Sequence, residues 1–181
     1  LACGERRRTR ERFVDLSLEV ENSGSVVEGL RKFVEVESLG EDNKVDCDSC
    51  KRRCAITKGL RLESLPSSIL CIHLKRFGYD ACGRVRRISN RVTFPQTIDL
   101  AEFMTEEKRS AEKTTTTSAT TYSLFGLIIH QGSSCNSGHY VSYVKRNGGW
   151  WLCNDSRVRR VGEEEVMRQN PYMVFYERGE G

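Results

Sequence analysis

The segment from Tyr122 to Tyr176 constrains the fold more than any other part of the chain. Tyr122 to His130, His139 to Lys145 and Trp150 to Cys153 are short stretches in which apolar residues dominate or alternate with polar ones. That is the pattern of strands buried on at least one face. Asn147-Gly148-Gly149 lies between the second and third stretches, and an Asn-Gly pair supplies the positive φ that a tight hairpin requires. Gly162 to Gln169 reads as a short helix and Tyr172 to Tyr176 as a closing strand. Strands joined by a few residues pair antiparallel, because a parallel pair needs a long crossover. This half therefore predicts an antiparallel sheet with few helices.

Upstream, Phe13 to Val20 alternates with a period of two and predicts another half-buried strand. Ser25 and Glu28 form a capping box, after which Val27, Leu30, Phe33 and Val34 recur at helical spacing. Ile56 to Leu62 and Ile69 to Leu74 are strand candidates separated by Pro66 and two serines, and a third lies near Val92 to Phe94. Thr105 to Thr121 is rich in Thr, Glu and Lys, so it predicts a mobile surface insertion unable to offset its ordering entropy by burial. Neither a repeat nor an interdomain linker is visible. The expectation is one α+β unit with a mostly antiparallel sheet.

The longest apolar run, near Leu124 to Ile129, is far shorter than the ~20 residues of a membrane span, and no membrane partner is expected. The net charge of +4 is modest, and the basic cluster Arg6 to Arg12 is followed at once by Asp15, Glu19 and Glu21. A solvated basic face accounts for it better than nucleic-acid binding. The eight cysteines stand partly in strand-like apolar contexts and no secretory signal is visible, which points to a reducing compartment, cytoplasm or nucleus. Cys71 reads as a small core hydrophobe.

Cys47-Asp-Ser-Cys50 has the spacing that lets two thiolates meet a tetrahedral zinc from one tight turn, although a redox-active or incidental pair is equally spaced. Cys3 is the obvious third ligand. Cys54 lies beyond the knuckle, near the start of a strand, so the fourth ligand is expected from a cysteine immediately before Leu1, giving a second knuckle.

The three histidines differ in setting. His73 sits within a strand and reads as structural. His130 ends an apolar strand and enters a small, polar loop from Gln131 to Gly138. His139 opens the next strand, and the strand after the hairpin delivers Asn154 and Asp155, which can face it across the sheet. An imidazole held by an amide or carboxylate can act as general base for a nucleophile.

Taken together, Gly138-His139-Tyr140, Trp150 to Ser156 and Tyr172 to Tyr176 resemble the histidine box of ubiquitin-specific proteases. Phe13 to Leu18, the Cys47-Cys50 knuckle, Leu65-Pro66 and Ile72-His73-Leu74-Lys75-Arg76-Phe77 occur in that family's order. The resemblance implies a papain-like cysteine protease fold of thumb, palm and fingers that cleaves after the C-terminal glycine of ubiquitin. Residues 1–70 would be mainly zinc-bearing fingers, 71–181 mainly palm, and 105–121 the insertion. His139 would be the general base, Asn154 the third triad member and Asp155 its support. Phe77, His130, Ser137, Gly138 and Tyr140 would bind the ubiquitin tail. Cys3, Cys47 and Cys50 would hold the structural zinc.

None of the eight cysteines stands in the Asn-x-Cys setting of that family's nucleophile. The thumb, with the nucleophile and the oxyanion donor, is expected from an N-terminal part of the same catalytic domain, and this chain alone is expected to be inactive. Ubiquitin and ubiquitinated proteins are the expected partners. Two rivals stay open: a catalytically inactive ubiquitin-binding module, and a zinc-ribbon protein that binds nucleic acid through Arg6 to Arg12.

Overall fold

The computed structural model describes residues 4–112, 120–132 and 137–179. In chain order the elements are β1 Leu16–Glu19, α1 Val26–Phe33, β2 Glu37–Leu39, β3 Val45–Cys47, β4 Arg52–Cys54 and β5 Ile56–Lys58. They continue with β6 Ile69–Lys75, β7 Phe77–Tyr79, β8 Val85–Arg87, β9 Thr97–Asp99 and α2 Glu106–Glu112. The last are β10 Thr121–Gln131, β11 His139–Arg146, β12 Gly149–Asn154, β13 Arg157–Val161, α3 Glu163–Met167 and β14 Met173–Arg178.

An eight-stranded sheet dominates, in the order β1-β6-β14-β10-β11-β12-β13, with β9 also paired to β10. Every pair is antiparallel except β1 with β6, which run parallel with Leu16 opposite Ile72. Three two-stranded ribbons, β2-β5, β3-β4 and β7-β8, complete the described strands. The arrangement is α+β, as the alternating patterns predict.

The core lies on one face of the sheet. Leu70, Ile72 and Leu74 of β6 are fully buried at every second position, as a strand with one face against a core demands. On β10 the buried apolar side chains are Tyr122 and Leu124, then Leu127 and Ile129, so their alternation changes phase midway. A β-bulge causes it: β14 pairs Tyr176 with Leu124 and Phe175 with Gly126, leaving Phe125 as the extra residue. Val26 and Leu30 of α1 are fully buried against this layer. Ser25 caps the helix by accepting from the Glu28 N–H at 3.1 Å, and the Glu28 carboxylate accepts from the Gly24 N–H at 2.7 Å.

Arg76 is 2% exposed, yet all three of its side-chain nitrogens find acceptors. Its Nε donates to the Pro171 carbonyl at 2.7 Å, its Nη1 to the carbonyls of Ile88 and Asn90, and its Nη2 to Asn170 Oδ1. Burial, and then the charge of Arg87, pulls its pKa down to about 10. One guanidinium thus ties the start of β7 to the segments entering β9 and β14.

Several boundaries differ from the sequence expectations. Ile56 to Leu62 is not one strand: β5 ends at Lys58, and Leu62 instead bridges Met104, its N–H donating to Phe103 O and its O accepting from Thr105 N–H. Val92 to Phe94 forms no strand, because Thr93 spends its backbone groups on Gly24 and Val26 at the start of α1. The proposed insertion 105–121 contains helix α2, capped by Thr105, whose Oγ1 accepts from the Lys108 N–H. Residues 113–119 of it lie outside the described residues, as do Cys3 and Cys135.

Candidate active site

β11 begins at His139 and β12 ends at Asn154. With Ser142 opposite Cys153, Asn154 falls opposite Val141, and His139 lies two residues further along on the same face. The amide then reaches the imidazole diagonally: His139 Nε2 is 2.7 Å from Asn154 Oδ1. An amide oxygen only accepts, so Nε2 carries the proton and Nδ1 keeps its lone pair. Asn154 is fixed by the β12-β13 hairpin, in which it pairs with Arg157 and Asp155 turns at φ 51°. Asp155 Oδ2 is 4.0 Å from His139 Nε2, a supporting charge rather than a hydrogen-bond partner. The His139 side chain is 42% exposed, open enough for an approaching group.

Adjacent residues of a strand point to opposite faces, so Tyr140 leaves the face His139 occupies. It joins an aromatic cluster. The ring of His130 stands 4.8 Å from Tyr140 and 5.7 Å from Phe77, and Tyr172 lies 6.4 Å from His130 and 5.9 Å from Tyr140. His130 is 6% exposed, its Nδ1 has no hydrogen-bond partner among the described residues, and its carbonyl accepts from Arg87 Nη2 at 2.9 Å. Gly138 lies against this ring so closely that a Cβ there would fall 2.0 Å from His130 Nε2. Ser137 is exposed beside it. Phe77, His130, Gly138 and Tyr140 are thus brought together.

Tyr172 was not among the sequence candidates. Its backbone is pinned by an N–H to Ile128 O at 2.7 Å and by the Leu74 N–H to its own carbonyl at 3.0 Å. Burial, and then the neighbouring Tyr140, raises its phenol pKa. It also packs edge-on to His73 at 4.9 Å. His73 is satisfied as expected: Ser17 Oγ donates to Asp15 at 2.8 Å, so His73 Nδ1, at 3.1 Å, donates to that oxygen.

In the upstream ribbons, Cys47 closes β3, Cys50 sits in the following turn and Cys54 closes β4. The Lys51 N–H donates to Cys47 O at 2.8 Å, which draws Cys47 and Cys50 toward one another. Sequence spacing separates Cys54 from the knuckle, but its sulfur is 3.6 Å from that of Cys50. Among the described residues no three His, Cys, Asp or Glu side chains are grouped to hold a metal. The donor chemistry of Cys47 and Cys50 fits half a zinc site.

The family model described as ubiquitin carboxyl-terminal hydrolase matches residues 29–176, which include His139, Asn154, Cys47 and Cys50. The chain belongs to this family. It is 36% identical over 179 residues to ubiquitin carboxyl-terminal hydrolase 25 of Arabidopsis thaliana, covering 98% of this chain and 25% of that protein. It is 32% identical over 191 residues to ubiquitin carboxyl-terminal hydrolase 3 of Homo sapiens, covering 97% of this chain and 35% of that one. It thus spans a quarter to about a third of these relatives. Among solved structures it superposes, with a TM-score of 0.80 and 29% identity, on a chain of the SAGA DUB module Ubp8/Sgf11/Sus1/Sgf73 bound to monoubiquitin. That match covers 93% of this chain and 36% of the other. A second structure of the module, bound to ubiquitin aldehyde, matches with the same TM-score at 28% identity. These neighbours bear out the papain-like α+β fold.

Proposed function

We propose that this ubiquitin carboxyl-terminal hydrolase chain serves thiol-dependent cleavage after the C-terminal glycine of ubiquitin, supplying the general base while the nucleophilic cysteine comes from a segment outside it. The observation that carries this reading is the 2.7 Å contact between His139 Nε2 and Asn154 Oδ1. Asn154 holds the ring in one tautomer, so Nδ1 can take the thiol proton and later pass it to the leaving amine. Asp155, at 4.0 Å, stabilises the imidazolium that forms between these steps. Phe77, His130, Gly138, Tyr140 and Tyr172 form the wall along which a tail without side chains, such as one ending in glycine, can lie. Ser137 stands at its rim. Ubiquitin, ubiquitinated proteins and the N-terminal part of the catalytic domain are the partners this assigns.

Cys47 and Cys50, with Cys3 and a cysteine upstream, would hold a structural zinc that ties the ribbons together. Cys47→Ser in the full-length protein should lower its zinc content and loosen these ribbons first, read by metal analysis and by amide exchange over 45–54.

The deciding experiment treats full-length protein with ubiquitin bearing a C-terminal electrophile. A covalent adduct that His139→Ala prevents is expected. Ubiquitin binding without any adduct would instead make the parent a catalytically inactive binding module.

A further inference from the structure

The β3-β4 knuckle contains one thiol more than a two-cysteine metal clip uses, and that thiol lies against the clip. The backbone turns back at Lys51 with φ 54°, a left-handed conformation rare for a side chain of this kind, and the Lys51 N–H closes the turn on Cys47 O. This folds Cys50 over β4, where its Sγ comes within 3.6 Å of Cys54 Sγ. Cys54 forms no disulfide with another described residue. A disulfide bond is about 2.05 Å long, so the two sulfurs must draw closer for one to form.

The two thiols have different surroundings. Cys54 is 6% exposed and its Sγ–H donates to Arg52 O at 3.5 Å. Cys54 is not among the ligands of the zinc reading above and lies beside them as a reserve thiol. Cys50 is only partly buried, so an oxidant arriving from solvent meets it first.

We infer that Cys50 and Cys54 are a disulfide site driven by hydroperoxides. The Cys50 sulfur attacks the peroxide, the O–O bond breaks as S–O forms, and an alcohol or water leaves with sulfenic acid at Cys50. The Cys54 sulfur then attacks that sulfur, S–S forms as S–O breaks, and the oxygen departs as water with the Cys54 proton. Two thiols lose two electrons and the peroxide gains them. Where Cys50 holds zinc, a step that rests on the zinc reading above, the disulfide withdraws that ligand and releases the metal.

Trypsin makes the test direct, because cleavage at Lys51, Arg52 and Arg53 places Cys50 and Cys54 on separate peptides, 45–51 and 54–58. Full-length protein is treated with hydrogen peroxide, alkylated, digested and analysed by mass spectrometry, with released zinc read by a chromogenic chelator. The expected result is a linked peptide pair whose fragment ions place the bond at Cys50, reversed by dithiothreitol, with zinc released in step. Cys54→Ser should hold full zinc before oxidation, give no linked pair, and let Cys50 run on to acids that dithiothreitol does not reverse. A bond at Cys47, no bond at all, or zinc missing from untreated Cys54→Ser would overturn the inference. The Cys50-Cys54 bond forming in protein that never held zinc would uphold the disulfide site and remove the zinc reading alone.

Discussion

At the histidine end of the sheet, β10, β11 and β12 run for 11, 8 and 6 residues, and each has a partner strand on both sides. The ribbons β2-β5 and β3-β4 are built from strands of three residues that, among the described residues, pair in twos. In the first region the ladder sets the register that brings Asn154 to His139. In the second, two-stranded pieces of that length are marginal in water, and their buried side chains include Cys47 and Cys54. A site that must hold to tenths of an ångström is placed on the rigid part. Thiol chemistry that alters shape falls on the weak part.

Four substitutions would break or sharpen this contrast. The largest effect belongs to His139→Ala in the full-length protein, which should lower kcat for ubiquitin hydrolysis by about 10⁴-fold while leaving ubiquitin affinity nearly unchanged. An equal loss of both would mean the ring serves binding. Next, Arg76→Met should cost the sheet about 3 kcal/mol in denaturant unfolding, since buried carbonyls at Pro171, Ile88 and Asn90 lose their donor. A smaller change would show that water replaces the guanidinium.

Gly138→Ala should reduce kcat/KM by about 10²-fold with the fold retained, because the added methyl must displace the His130 ring. Circular dichroism like that of the parent protein, together with weakened turnover, checks it. The smallest and opposite effect is expected of Lys51→Gly: relief of a left-handed residue should stabilise the ribbon by about 0.5–1 kcal/mol, read as slower amide exchange over 45–54.

The histidine box was legible because its signals are local. Asn147 and Gly148 have φ of 49° and 71°, the paired left-handed turn that Asn-Gly announces, and it fixes the register that brings Asn154 to His139. The capping box at Ser25 is legible for the same reason. β13 was not, since Arg157-Val-Arg-Arg-Val161 is an edge strand with four of its five residues exposed and so carries no buried face to betray it. The three-residue strands are too short for any period to register. Tyr172 was invisible as a site residue because its role comes from β6 and β11 strands far away in the chain. Likewise the approach of Cys54 to Cys50 depends on a left-handed Lys51, which nothing in that residue type foretells.

The parallel pairing of β1 with β6 has a kinetic consequence. Ser17 and His73 are 56 residues apart, and everything between them, α1 and both small ribbons included, must loop out before the two strands can meet. Loop-closure entropy makes such a contact late, whereas the β11-β12 and β12-β13 hairpins close over short turns. Refolding followed by pulse-labelled amide exchange would show protection arriving at the histidine strands first and at Leu16 to Glu19 last. The half of the sheet that carries His139 would then serve as the template on which the rest of the chain is assembled.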